Sequence, residues 1–280
     1  MPGLIKVPQI ACVSEGGWEA FGGIDLVAGN SVARQWMGST LRLSTDREKW
    51  LMDVLPEYLV LMYLQSTKEP VKYYTNLINR RDSLYTARER DRDMQLVSGP
   101  RVNAFTNEEN PFDYIRSIQT NKGVWIMHML RFLMYDLDNQ SEQVFIKFLR
   151  KLYLMVNNKL FANSDFIALS EEYYGGSLSW FFDHWFYGVD FPQLKVEYTI
   201  ENRDGQYFIP VSIMADGVAL DYQMPVIMRV ADKEGGSQFL RKVIKSGSNN
   251  LELGPFAKEP KDLVFNEFFS VMSKDDVSKK

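Results

Sequence analysis

Two histidines and one cysteine are all that 280 residues supply of the side chains most used to hold zinc. The lone cysteine, Cys12, excludes an intrachain disulfide and any cysteine-based zinc centre, and it leaves the compartment open. His128 and His184 stand fifty-six positions apart, so they cannot share a helical turn. No apolar run approaches eighteen residues, which excludes a transmembrane helix. The start, Met1-Pro2-Gly3-Leu4-Ile5-Lys6, has no basic stretch leading into a long apolar one and does not read as a signal peptide. A large excess of charge of one sign is also missing: a net −4 gives no electrostatic reason to expect nucleic acid. The run from Arg88 to Asp93 alternates in sign and reads as a solvated helix face. A G-x-S-x-G elbow, a P-loop and a dinucleotide fingerprint are all missing.

What remains is an ordinary globular composition, 45% hydrophobic and 24% charged, with chain enough for one or two domains and a sizeable core. The expectation is a soluble protein. Ile5 to Val13 read as a strand and Glu15 to Gly23 as a Gly-rich loop. Helices are predicted at about Ser31 to Gly38 and Arg47 to Gln65; in the second, Trp50, Leu51, Val54, Tyr58, Leu61 and Met62 form an apolar stripe. Pro56 lies inside it, removes a backbone donor and predicts a kink. Further helices are predicted over Tyr73 to Leu96 and Asp113 to Asp136, with loops through Gly99-Pro100 and Asn110-Pro111. Another carries an apolar face of Phe145, Phe148, Leu149, Leu152, Met155 and Val156, with Ser141 as its capping candidate. Gly175-Gly176 ends the next, and Ser177 is placed to cap Leu178 to Tyr187.

After Pro192 the period changes from that of a helix to two. Leu194, Val196, Tyr198 and Ile200 alternate with polar residues, and Asp204-Gly205 and Asp216-Gly217 mark turns around Tyr207 to Met214 and Ala219 to Val230. Shorter strands are predicted at Phe239 to Ile244 and Leu263 to Phe269, and a frayed tail from Lys274. The chain therefore reads as α+β: residues 1–192 mainly helical, residues 193–280 a small antiparallel β-sandwich.

One constellation carries chemistry. Asn30 and Arg34 stand four apart, on one helix face, and Asp53 follows Arg34 after eighteen intervening residues. Gln35-Trp36-Met37-Gly38 and Trp50-Leu51-Met52-Asp53-Val54-Leu55-Pro56-Glu57-Tyr58 continue the same frame. Farther on come Lys122-Gly123-Val124-Trp125-Ile126-Met127-His128-Met129-Leu130-Arg131 and a segment from Ser164-Asp165-Phe166 through Gly176 to Trp180-Phe181-Phe182-Asp183-His184-Trp185. In this order the segments resemble the aminopeptidase N family of zinc metallopeptidases, which includes leukotriene A hydrolase. Its members read approximately HExxHQWWG, WLNEGFAxY, YxKGAxVLHMLR and DF…G..L..FFDQW. Gly16-Gly17-Trp18-Glu19-Ala20-Phe21-Gly22 further resembles the family's GxMENxG loop.

The resemblance implies a thermolysin-like helical subdomain followed by the sandwich. It also implies that the chemistry is gone from the frame. The three zinc-ligand positions hold Asn30, Arg34 and Asp53; the general base is Ser31; the tyrosine that stabilises the oxyanion is Thr120. Asn30 is a poor zinc ligand, and Arg34, permanently cationic, is not one. Losing the metal-bound water, its base and the oxyanion donor removes the main sources of rate in metal-assisted hydrolysis. What can fill the gap is the guanidinium of Arg34, paired with Asp53 and shared with Asn30. Glu19 would be the carboxylate that holds a peptide's amino terminus.

The reading is a catalytically inactive homologue that binds a peptide or protein or serves as a scaffold, with no cofactor. The alternative is a zinc aminopeptidase with an unorthodox ligand set, such as Asp53 with His128 or His184, or one needing a missing upstream domain. Family members carry a large β-domain upstream of the first matched segment, so the resemblance implies a further segment or partner subunit. His128, Trp125, Trp180, Trp185 and His184 read as packing residues first.

Overall fold

The computed structural model describes residues 24–37, 42–66, 70–89, 95–96, 111–158 and 160–280, without the side chains of 24–27, 36–37, 46, 111–114 and 157–158. The chain is α+β, helical in its first part and built of strands from Gln193 onward. The strand expected at Ile5 to Val13, the Gly-rich loop with Glu19, and Cys12 lie outside the described residues, as do Gly38 and the side chain of Trp36. Two compact units divide the chain: Met1–His128 with Ile146–Gly175, and Met129–Phe145 with Gly176–Lys280. The unit that contains the strands thus takes in residues 129–145 and 176–192 as well.

In the first unit, α1 spans Ile24–Met37 and α2 spans Trp50–Ser66. Helix α1 begins well before the Ser31 expected from the sequence. Asn30-Ser31 has the look of a cap, but Ser31 is an interior helical residue and is buried. Two residues before Ser31, Gly29 meets Val60 of α2 so closely that a Cβ would lie 3.0 Å from Val60 Cγ1. Close packing of α1 on α2 therefore outweighs the capping signal. Helix α2 runs continuously through Pro56 and buries Trp50, Leu51, Val54, Tyr58 and Leu61, each large apolar side chain contributing roughly 1.5–3 kcal/mol relative to exposure.

Helix α3 spans Pro70–Glu89 and α4 spans Pro111–Leu133. Both open on proline, whose fixed φ and missing donor suit the first helical position. Gly123 of α4 faces Val54 of α2, where a Cβ would sit 2.2 Å from Val54 Cγ2. That glycine sets how closely the two helices approach. Helix α5, Gln143–Asn158, buries Phe145, Phe148, Leu152 and Val156, and Gln143 donates its backbone N–H to Ser141 Oγ at 3.3 Å. Helix α6, Asn163–Tyr174, ends at Gly175, whose φ of 80° and N–H to the Glu171 carbonyl (2.9 Å) form a left-handed cap.

The second unit holds α7, Ser179–Phe182, which continues as a π-helical turn over Asp183–Tyr187. Its strands are β1 Gln193–Tyr198, β2 Glu201–Arg203, β3 Gln206–Asp216, β4 Gln223–Asp232, β5 Ser237–Lys245, β6 Gly247–Phe256, β7 Pro260–Val264 and β8 Lys274–Lys279. One sheet runs β2-β3-β1-β8 with β6 on the other side of β3, and a second runs β5-β4-β7. Leu194, Val196 and Tyr198 alternate inward as their spacing predicts. Two expectations are corrected and one unassigned stretch proves to be a strand. The tail from Lys274 is a strand, and it pairs parallel with β1, so the sheet is not purely antiparallel. Residues 247–256 form a strand antiparallel to β3. Strand β7 ends at Val264, and Glu267–Phe269 form a 3-10 turn.

Candidate functional site

The carboxylate of Asp53 is the hub of a hydrogen-bonded cluster within the first unit. Trp50, at the start of α2, donates its indole N–H to Asn163 Oδ1 at 2.9 Å and packs edge-on against Phe166 at 5.3 Å. These anchors fix the first turn of α2, which presents Asp53. An acidic side chain there also meets the positive end of the helix dipole. From α1, Arg34 donates through Nη1 to Asp53 Oδ1 at 2.9 Å and through Nε to Asn30 Oδ1 at 2.7 Å. The ion pair expected from the sequence is formed, and Asn30 shares it.

Three further helical positions join the cluster. Arg116 of α4 donates through Nε to Asp53 Oδ2 at 2.7 Å and through Nη2 to Asp53 Oδ1. Glu57, one turn beyond Asp53, lies 3.9 Å from Arg34 Nη2 and accepts from Arg80 Nη2 at 2.7 Å. Arg80 of α3 is itself held by Asn76 Oδ1 at 2.6 Å and by Asn121 Oδ1 of α4 at 2.9 Å. Four helices thus contribute to one continuous network. In the sequence Asn30, Arg34 and Asp53 stand out as site positions, whereas Glu57, Arg80 and Arg116 do not. The available signal was the spacing of Asp53 with Glu57 and of Asn76 with Arg80, each pair four apart on one helix face.

Ser31 and Thr120 are both buried, Ser31 next to Asn30 on α1 and Thr120 one turn after Arg116 on α4. Glu19 lies outside the described residues. His128 is fully buried, with Nδ1 2.6 Å from the Tyr73 hydroxyl, which is 3.5 Å from that of Tyr58. Trp125 stands edge-on to His128 at 5.4 Å and donates to the Leu77 carbonyl at 3.0 Å. His128 and Trp125 are therefore core residues. In the second unit Trp185 is buried and His184 packs against Trp185 and Tyr222, each at 4.8 Å. Trp180, expected in the core, is only half-buried and donates to the Ser177 carbonyl at 3.1 Å.

The donor set at the frame positions does not suit zinc. Zinc takes neutral imidazole, thiolate or carboxylate, and commonly three of them in a catalytic centre. Here one carboxylate is available, and two guanidinium groups already bind it. Among the described residues, no group of three His, Cys, Asp or Glu side chains is placed to hold a metal ion. Also among them, no helix is long and apolar enough to cross a membrane.

No protein-family model and no curated protein matches the sequence. Its fold is similar to that in the crystal structure of Legionella pneumophila aminopeptidase A in complex with aspartic acid, with a TM-score of 0.60 and 16% sequence identity. The match covers 91% of this chain and 27% of that one, so the chain spans about a quarter of the neighbour's length. At this identity the likeness is one of fold.

Proposed function

We propose that the chain is a catalytically inactive homologue of a zinc aminopeptidase, related to the aminopeptidase N and leukotriene A hydrolase family, that acts as a peptide- or protein-binding or scaffold module. The observation that carries the reading is the position of Arg34. Its guanidinium stands four residues from Asn30 on α1 and bonds the Asp53 carboxylate, filling with an organic cation the place a metal takes in the family's frame. Ser31 and Thr120, at the base and oxyanion-donor positions of that frame, carry hydroxyls. A serine hydroxyl does not take a proton from water near neutral pH. The fold likeness to an aminopeptidase crystallised with aspartic acid supports a ligand of amino-acid or peptide character.

The test pairs hydrolysis with binding. Aminoacyl anilides should remain intact in the presence of the full chain and added zinc; steady turnover would overturn the proposal. Titration calorimetry with short free-amine peptides and their acetylated forms addresses Glu19. Tighter binding of the free amines supports its proposed role, and equal or absent binding removes it.

A further inference from the structure

We propose that the outward face of α5 is a docking surface for an acidic polypeptide segment, distinct from the Asp53 cluster and independent of what that cluster does. Helix α5 carries Lys147, Arg150 and Lys151 and no acidic residue. These three and Leu154 stand at i, i+3, i+4 and i+7, which places them on one stripe of the helix. Phe145, Phe148, Leu152 and Val156 lie on the opposite side and are buried. All three cations are exposed, and Leu154 keeps 55% of its surface open to solvent.

The charge on this stripe is unmatched. Among the described residues, none of the three cationic side chains has a salt bridge or a hydrogen bond. Helix α6 packs on α5 through Phe148, which meets Phe166 at 5.9 Å and Tyr173 at 6.0 Å. That helix brings Asp165, Glu171 and Glu172, and none of them pairs with the stripe; Asp165 accepts the Ala162 N–H at 2.9 Å. Exposed Arg203, Lys233 and Lys258, by contrast, each meet a glutamate. Like charges one turn apart on a helix repel, so an anionic partner on this face relieves a strain the protein itself leaves in place.

Charge complementarity calls for an anion, and the surroundings select its kind. An interfacial helix binds a bilayer by burying its apolar face, and that of α5 already lies in the protein's own core. Recognition of lipid headgroups by charge alone uses about four to eight cations, more than the stripe holds. A nucleic acid would meet a chain of net charge −4. A polypeptide fits both features of the face. The cations span about 6 Å of the helix axis and Leu154 follows roughly 5 Å farther on, so carboxylates within one helical turn and an aliphatic residue a turn beyond them match it.

Fluorescence anisotropy of a labelled, acetylated and amidated helical peptide of glutamate and leucine, titrated with the full chain, tests this. Binding should weaken as salt rises and fall about tenfold or more when Lys147→Gln, Arg150→Gln and Lys151→Gln are combined. Leu154→Gln should weaken it severalfold. Lys195→Gln, Lys242→Gln and Lys245→Gln together make the same change in net charge at three lysines that also lack a salt bridge, and should leave binding unchanged. The unfolding midpoint of the α5 triple variant should stay near that of wild type, because the replaced side chains are exposed and unpaired. Absent binding, equal binding of a peptide with glutamine in place of glutamate, or equal losses in the two triple variants overturns the proposal. Tighter binding to phosphatidylserine vesicles or to duplex DNA than to the peptide also overturns it, and would assign the stripe to a membrane or to nucleic acid.

Discussion

A guanidinium keeps its proton across the whole pH range in which zinc ligands must shed theirs, so the charge at Arg34 is permanent. Its bond to Asp53 is also shared, because Arg116 grips the same carboxylate. Removing either arginine alone should cost about 1 kcal/mol or less, since each is more than a third exposed and the other remains. Removing both strands a mostly buried carboxylate and should cost about 2–4 kcal/mol, more than the two single losses together. Urea unfolding of Arg34→Ala, Arg116→Ala and the double variant measures this; strictly additive losses would contradict a shared hub. A second residue-scale prediction concerns Asp136 in the second unit. The Asn139 side chain and the backbone N–H groups of Asn139 and Asp138 bond its carboxylate and hold its pKa below the ordinary 3.8. A carboxyl whose folded pKa is lowered contributes stability that is complete above the unfolded value and is lost as pH falls through the folded one. The stability difference between wild type and Asp136→Asn should therefore be present at neutral pH and shrink below pH 3.8. A difference that grew on acidification would reverse the sign of this account.

Among the elements, α2 and α4 are the pair whose spacing matters most, because α2 presents Asp53 and α4 presents Arg116. Gly123 permits their contact, as a Cβ there would strike Val54. Gly123→Ala would gain in helix propensity yet should lose about 1–3 kcal/mol by overpacking, with recovery when Val54→Ala is added. Thermal unfolding of Gly123→Ala, Val54→Ala and the double variant decides this, and a stabilised Gly123→Ala would mean the helices can part freely. The helices were legible because their apolar stripes repeat at the helical period, as at Trp50, Val54, Tyr58 and Leu61. The start of α1 was not, since Asn30-Ser31 mimics a cap and only packing against Val60 shows otherwise. Strand β6 was missed because Ser248-Asn249-Asn250 and Gly254-Pro255 have loop chemistry; pairing with β3 overrides it. Strand β8 was missed because Lys274-Asp275-Asp276 reads as a solvated tail. Such charges suit a strand with one partner, here β1.

For the molecule as a whole, the α+β class and the order of helical and strand parts were legible from a change of period near Pro192. The core of the site was legible for a narrower reason: Asn30, Arg34 and Asp53 keep a spacing that places them together whatever their chemistry. Arg80 and Arg116 reach the same cluster from other helices, where no local periodicity marks a contact made through space. The central claim is that an arginine cation has taken the place of a metal ion between α1 and α2. The zinc content of the purified full chain, equilibrated with excess zinc and then freed of unbound metal, tests it most directly. The account predicts a content indistinguishable from that of the buffer, unchanged in Asp53→Asn; zinc retained in equimolar amount and lost in Asp53→Asn would contradict it.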